Sequence, residues 1–438
     1  GWLKELAAYR ARPDVAWAEP DYVRHATAAT NDPSFGSQWG PQKIGAPIAW
    51  DVTPGQSSTR IAILDCGVYT ESSHYQAPDG LFGHPDLRGK VILEANFSDA
   101  TTGTDDYCDH GTMMAGIAGA ATNNGVGIAG IGFSASLLNG KVLNDAGEGY
   151  DSWVASGIVW AADNGANVIS MSLGGDAVCS QTFQSAIDYA WNKGATIVAA
   201  AGNGGLDGVG DPAPEAPGSC QHVIPVGAID QSDARASFSN YGLAVPLAAP
   251  GVNVLSTDYI GTYNLVSGTS PATPHVAGVA ALLKSTANGA TNAAIVQRLF
   301  QTAAPIVGTG SVWAYGRVDA AAAVGPASCA PRPKVTVTAT PDGSALNVQV
   351  GVAGVGNAVR FLQVGGSTGA ASNAVVTFPG TTSEAQGITS YVLSNVAAAA
   401  SFQVKRQTAG SAATLGFTVV DGCGSWKSFV GGGAGAGF

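Results

Sequence analysis

Four short strings in this 438-residue chain carry side chains that do chemistry when brought together. LDCG (64–67) sets Asp65 at the end of an apolar run, and DHGTMMAGIAG (109–119) sets His110 ahead of a stretch of small residues. GTSPATPHVAG (268–278) sets Ser270 where an apolar helix should begin, and VAAAGNGG (198–205) leaves Asn203 just past another apolar run. A serine hydroxyl is a weak nucleophile until a neighbouring imidazole takes its proton. That imidazole in turn needs a buried carboxylate to fix its tautomer and stabilise its cation. A backbone N–H at a helix start and a side-chain amide can together hold an oxyanion. Singly, each residue has a plainer reading: Asp65 as a helix cap, His110 as a satisfied core histidine, Ser270 as an N-cap, Asn203-Gly204 as a turn. Only the combination points to acyl transfer through a serine nucleophile.

The elements that must position these groups are legible from periodicity. IAIL (61–64), VISMSL (168–173) and TIVAAAG (196–202) read as buried strands, whereas DSWVASGIVWAADNG (151–165) and TFQSAIDYAWNKG (182–194) carry helical spacing and helix-stop signals. Strands alternating with helices, and too apolar for one wet face, predict an α/β fold with a doubly wound, mostly parallel sheet over about 60–325. Ligands in such sheets sit at the carboxyl ends of the strands, where Asp65 and Asn203 fall. After Cys329 the texture changes to short β-branched runs such as VTVTAT, ALNVQVGV and TLGFTVV with turn residues between them. They predict an all-β sandwich over 329–426, followed by a flexible Gly-rich tail at 427–438.

Composition narrows the class. The chain carries 20 Lys and Arg against 31 Asp and Glu, a formal charge of −11, with no basic cluster, which argues against nucleic acid. No run approaches the ~18 apolar residues of a membrane span. The six cysteines, in neighbouring order Cys66 and Cys108, Cys179 and Cys220, Cys329 and Cys423, include no Cys-x-x-Cys. An even count of this kind suits disulfides in an oxidising compartment better than zinc, although fifteen pairings are possible.

The four strings, together with NDPSFGSQWGPQKIGAPIAWDV (31–52), HPDLRGKV (84–91) and SLGG (172–175), resemble the subtilisin-like serine proteases, thermitase-type enzymes in particular, from about Asn31 to Val324. The resemblance implies Asp65 as orienting carboxylate, His110 as general base then acid, Ser270 as nucleophile and Asn203 as oxyanion donor; the Asp…His…Ser chain order is the one known for subtilisin. The chain departs from the family pattern in having Cys66 for Thr, Met113-Met114 for His-Val and Pro271 for Met. None of these removes a catalytic group. A bridge between Cys66 and Cys108 would brace the Asp–His geometry, and Pro271 falls in the first helical turn, where its missing N–H costs little.

ATNNGVGIAG (121–130) contains a formal dinucleotide fingerprint at Gly125, Gly127 and Gly130. That motif should follow a strand and open a helix, whereas this one follows the His110 helix and precedes a strand-like run, so nicotinamide binding is rejected. By resemblance the loop is instead a strong calcium site, with Asp32, Asp86, the Asn124 side chain and the carbonyls of Ala121, Val126 and Ile128 as ligands, a hard oxygen set suited to that ion. The plainer reading is a surface turn with Asp86 in a salt bridge. A second family site matches only loosely at Asn96, Asp99 and Asp105.

Protein or peptide substrates are expected to bind as an added strand, by resemblance along Gly147, Glu148 and Gly149 on one side and Ser172, Leu173 and Gly174 on the other. Glu215 falls near the base of the primary specificity pocket by the same resemblance, which suggests a preference for Lys or Arg on the acyl side of the cut; a solvated loop charge is the plainer alternative. Residues 1–29 resemble the end of an inhibitory prodomain that would occupy the cleft and be cut between about His25 and Asn31. The catalytic domain would then span 30–326. The expected protein is a secreted, monomeric, calcium-stabilised endopeptidase. Two other classes compete: a catalytically silent binding or adhesion protein on a protease-like fold, and a serine esterase. The second would want Gly-x-Ser-x-Gly, whereas Ser270 lies in Gly-Thr-Ser-Pro-Ala.

Overall fold

The computed structural model describes residues 30–325 apart from 176–177 and 205–207, and beyond them the backbone of eight strands between 334 and 431. The leader reading of 1–29, Cys329, Cys423 and most of the Gly-rich tail lie outside the described residues.

The sheet strands are β1 (Arg60–Asp65), β2 (Val91–Asn96), β3 (Ser136–Lys141), β4 (Val168–Met171), β5 (Thr196–Ala200), β6 (Val223–Ile229) and β7 (Leu247–Pro250). A small hairpin, β8 (Val254–Thr257) and β9 (Tyr263–Val266), follows, and then β10 (Gly316–Arg317). Seven of these strands and β10 form one eight-stranded sheet in the order β10-β7-β6-β5-β4-β1-β3-β2. Every pairing in it is parallel. Chain order reverses on either side of β1, so the carboxyl ends of β1 and β4 open on a crevice of the kind that takes ligands.

The apolar runs are continuous because both faces are covered. Along β1, Ile61 and Ile63 belong to one core, while Ala62 and Leu64 belong to the other. The first core also holds α1 (Gly111–Gly119), α4 (Thr269–Lys284) and α5 (Asn292–Thr302), through Met114, Ala118, Val276, Leu283 and Leu299. The second holds α2 (Asp151–Asp163) and α3 (Gln181–Asn192), through Ile158, Ala161, Phe183 and Ile187. The period-2 alternation of a strand thus sends successive side chains into different helical layers.

Two disulfides are present among the described residues, Cys66–Cys108 and Cys179–Cys220. Past residue 333, β11 (Lys334–Asp342), β12 (Ala345–Ala353), β13 (Val359–Gly366), β14 (Ala374–Thr377), β15 (Ser390–Val396), β16 (Ala399–Arg406), β17 (Leu415–Val420) and β18 (Trp426–Gly431) pair antiparallel in two four-stranded sheets.

Candidate active site

Asp65 is the last residue of β1, and His110 is the N-cap residue just before α1. Gly111 explains how the two elements come so close: a Cβ there would stand 2.0 Å from the carbonyl oxygen of Gly67, so only glycine lets α1 begin against the loop after β1. His110 Nδ1 lies 2.8 Å from Asp65 Oδ1, which also accepts the Cys66 N–H at 2.8 Å. Asp65 is buried, and its Oδ2 has no hydrogen-bond partner. The His110 side chain keeps 29% of its surface exposed and lines the cleft. Burial pulls its pKa down, but the Asp65 charge and hydrogen bond, with Asp106 and Asp109 behind them, outweigh that and hold it above the ordinary imidazole value.

Asp106 fixes the approach to α1. Its carboxylate accepts the backbone N–H groups of Cys108 at 3.1 Å, Asp109 at 2.9 Å and Thr112 at 2.8 Å, as an N-capping side chain does. Burial, countered in part by the Thr112 donors, pushes its pKa up to about 6. The Cys66–Cys108 bridge joins the residue after Asp65 to the residue two before His110.

Ser270 is the second residue of α4. Its Oγ donates to the carbonyl of Ser172 at 3.2 Å, while the Ser172 hydroxyl donates to the carbonyl of Ser270 at 2.9 Å. The second bond is possible because Pro274 lies one turn on and has no N–H to take that carbonyl. The carboxylate–imidazole contact is therefore made in this conformation, and the Ser270 hydroxyl rests on Ser172 instead of on the imidazole. Asn203, exposed just after β5, accepts from the Thr269 N–H at 2.9 Å and from the Thr269 hydroxyl at 3.1 Å. Its Nδ2 lies beside Gly268, the residue before α4, 3.7 Å from where a Cβ would stand there.

The cleft beside His110 has a volume of about 590 Å³ and is walled by Gly147, Glu148 and Gly149 on one side and Ser172, Leu173 and Gly174 on the other. Among the described residues, neither Gly149 nor Gly174 uses its backbone N–H or C=O in a hydrogen bond, so both edges are open to an added strand. Glu215 is not part of the cleft lining; its neighbour Ala216 is. The Glu215 carboxylate lies behind the wall, where a Cβ on Gly174 would stand 2.9 Å from Oε2 and one on Gly202 would stand 2.3 Å from Oε1.

Asp32 and Asp86 are both buried and are drawn together by the 121–128 loop. Asp32 accepts the N–H groups of Asn123 and Asn124, and Asp86 accepts the Ile128 N–H at 2.8 Å and the Tyr263 hydroxyl at 3.0 Å. Gly127 has φ +42° and a Cβ there would meet Tyr263 and Asp86, so the loop can wrap the carboxylates only with glycine at that turn. Asn124 Nδ2 donates to Asp86 Oδ1 at 2.9 Å, so coordination through its oxygen needs a half-turn of the amide. Among the described residues no hydrogen bond reaches the carbonyls of Ala121, Val126 or Ile128, and no Lys or Arg pairs with either carboxylate. Burial, only partly offset by its hydrogen bonds, raises the Asp86 pKa, and the like charge of Asp32 adds to it. Two buried carboxylates with three unclaimed carbonyls fit a hard divalent cation. The looser second site is otherwise engaged: Asp105 holds His74 at 2.7 Å, and the Asn96 oxygen takes the Ser98 N–H and hydroxyl at 2.8 Å each.

Sequence reasoning did not find Asp106, Thr269, Tyr263 or Lys141. The Asp105-Asp106 doublet beside DHG, and a lysine inside the apolar run SLLNGKVL, were the available signals.

The Subtilase family model matches residues 56–325. The chain is 46% identical over 321 residues to a thermophilic serine proteinase from Bacillus sp. (strain AK1), covering 73% of this chain and 75% of that one. It is 48% identical over 295 residues to thermitase from Thermoactinomyces vulgaris, covering 67% of this chain and 98% of that one. A solved protease structure from Pseudoalteromonas arctica superposes with a TM-score of 0.59 at 34% identity, covering 68% of this chain and 99% of the other.

Proposed function

The chain belongs to the subtilase family and is a subtilisin-like serine endopeptidase, and from that premise we propose that Asp65, His110 and Ser270 form its catalytic triad, with Asn203 and the Ser270 N–H as the oxyanion donors. The observation that carries the assignment is the 2.8 Å Asp65–His110 contact at the mouth of the cleft whose far wall, through Ser172, holds Ser270.

An extended peptide pairs with the open edges at 147–149 and 172–174. Its N–H groups compete for the Ser172 carbonyl, on which the Ser270 hydroxyl rests. Rotation about the Ser270 Cα–Cβ bond then hands the hydroxyl to His110 Nε2. The imidazole takes the proton as Oγ bonds to the scissile carbonyl carbon, and Asp65 stabilises the imidazolium without taking its proton. The carbonyl oxygen, now an oxyanion, receives the Asn203 Nδ2–H and the Ser270 N–H, the latter free because it lies in the first turn of α4. His110 returns the proton to the leaving amine, and a water repeats the sequence on the acyl-enzyme.

Calcium is the proposed cofactor: Asp32, Asp86, Asn124 and the carbonyls of Ala121, Val126 and Ile128 would hold it, and when bound it supplies a cross-link among three chain segments. Glu215, behind the Ala216 wall, is proposed to favour Lys or Arg at the acyl side, so Glu215→Gln should reduce the Arg-over-Phe preference; equal cleavage of both, unchanged by the substitution, would dispose of this. We further propose residues 1–29 as the remnant of an inhibitory prodomain, 30–326 as the catalytic domain and a β-sandwich domain from 329, which β18 carries past the expected boundary at 426 to 431, leaving 432–438 as a tail, in a secreted monomer acting on unfolded protein. Extracellular basic protease from Dichelobacter nodosus, 37% identical over 315 residues, supports the secreted reading.

The deciding experiment is Ser270→Ala. Loss of peptide cleavage together with retention of the leader is the expected result; a variant that still cleaves refutes the triad.

A further inference from the structure

Lys141, at the end of β3, is fully buried. A lone ammonium inside a protein is costly unless its hydrogen bonds and charge are answered. Here all three donors are used: Nζ reaches the Cys66 carbonyl at 2.6 Å, the Asp105 carbonyl at 2.7 Å and Asp145 Oδ1 at 2.7 Å. The two carbonyls are the informative partners. Cys66 follows Asp65 directly, and Asp105 precedes Asp106, the residue that caps the His110 helix. One ammonium therefore ties the segment bearing the carboxylate to the segment bearing the imidazole.

Its register adds a second argument. Lys141 is the strand partner of Asp65, and registered neighbours in a sheet direct their side chains to the same face. Asp65 carries a buried charge whose Oδ2 has no hydrogen-bond partner. Asp106 is buried beside it, and Asp109 stands at the same helix start, so carboxylates dominate the field at His110. Lys141 is the fully buried lysine set beside Asp65 on that face, among the described residues.

We propose that Lys141 is a positioning residue for the Asp65–His110 couple: it holds the two segments in register through the Cys66 and Asp105 carbonyls, so that the carboxylate stays within hydrogen-bond reach of the imidazole. The proposal rests on the reading of His110 as the general base. The groups facing His110 are Asp65, Asp106 and Asp109, with Glu148 on the same cleft; those facing Lys141 are Asp145 and the two carbonyls, Asp105's own carboxylate being held by His74.

The test is the pH profile of kcat/KM on a soluble chromogenic peptide for the full chain and for Lys141→Met, Lys141→Arg and Asp145→Asn. Lys141→Met releases both carbonyls and loosens the Asp65–His110 contact that raises the imidazole pKa, so the acid limb should move down by about half a pH unit and kcat should fall by about 10–100-fold with little change in KM. Lys141→Arg keeps N–H donors for the two carbonyls and should return the limb toward its original position. Asp145→Asn, at a half-exposed site, removes a negative charge and should move the limb down. A limb unmoved in Lys141→Met overturns the proposal, as does an Arg variant whose limb matches that of the Met variant. Where Lys141→Met does not fold, an unmoved limb in Asp145→Asn overturns it equally. Activity surviving in Ser270→Ala would instead sink the triad reading itself, so the two failures are read separately.

Discussion

The two described disulfides form an internal control, because Cys66–Cys108 spans 42 residues and Cys179–Cys220 spans 41. The loop-entropy relation gives nearly the same unfolded-state term for each, about 4 kcal/mol at 25 °C. Removing either pair by double alanine substitution should therefore lower Tm by a similar amount, roughly 6 °C for a domain of this size. Their positions are not equivalent. Cys66–Cys108 joins the chain after Asp65 to the chain before His110, and Cys108 lines the cleft. Cys179–Cys220 joins the segment after the 172–175 wall to the segment after Ala216. Without the first bridge the carboxylate–imidazole geometry loosens, and kcat should fall by about tenfold or more. Without the second, substrate contacts loosen, and the change should appear in KM. Calorimetry belongs in a Ser270→Ala background, where autolysis cannot distort the transition, and steady-state kinetics in the active chain with each pair removed. Equal kcat losses for the two pairs, or none for Cys66 and Cys108, would show that the bridge beside the triad contributes stability alone.

Chelation of calcium with EGTA should lower Tm, and Asp86→Asn should remove that dependence; a chelator-insensitive parent chain would argue against the Asp32–Asp86 site. Peroxide should inactivate the enzyme slowly, since Pro271 follows the nucleophile and the three methionines, Met113, Met114 and Met171, are all buried; rapid loss traced to the active site refutes this. Asn203→Leu removes one oxyanion donor without touching the triad and should cost about 10²–10³-fold in kcat with KM nearly constant, the range measured for the donor asparagine of subtilisin. His110 acts as a base only when neutral, and its pKa is held above the ordinary imidazole value, so activity should fail as pH drops through that raised pKa. Asp109→Asn removes one of the charges that raise it and should move the acid limb of kcat/KM downward, measurable with a soluble peptide.

Periodicity exposed the parallel sheet because both of its faces are covered: an apolar run like IAIL cannot be explained by one wet side, and β1 does split its residues between two cores. Helix ends were legible for the same local reason, with Asn164-Gly165 stopping α2 one turn after its last buried residues. The residues proposed as the triad stood out because acyl transfer needs rare side chains in motifs with little freedom. Their supports did not. Asp106 works by capping a helix that lies after it in the chain, and Lys141 works through two carbonyls 36 and 75 residues away. Such roles arise from which backbone atoms meet in space, and backbone atoms have no spelling in a sequence. The bond from the Ser172 hydroxyl to the Ser270 carbonyl is of the same kind, because it depends on Pro274 leaving that carbonyl free.

Six aspartates are buried in the described core, Asp32, Asp65, Asp86, Asp105, Asp106 and Asp258, and each buried charge must be answered locally. Asp258 is answered by its own turn, through the N–H groups of Ile260 and Thr262 and the Thr262 hydroxyl. Asp106 takes three backbone donors, Asp105 takes His74, and Asp65 takes His110 with Lys141 opposite in the sheet. Asp32 and Asp86 differ from the rest. Like Asp106 and Asp258 they receive only neutral donors, but they also face one another's charge beside carbonyls that nothing described has claimed. Neutral donors satisfy lone pairs but leave two like charges in a poorly solvated place, which protonation of one carboxyl or entry of a divalent cation would relieve. The first would strip the loop of an acceptor for Ile128 and Tyr263, whereas the second keeps every hydrogen bond except the two that Asn124 gives up on turning its amide, its own to Asp86 and the one its oxygen accepts from the Val126 N–H. The arithmetic of charge thus favours a bound cation over a shared proton, and it does so independently of the resemblance that first suggested one.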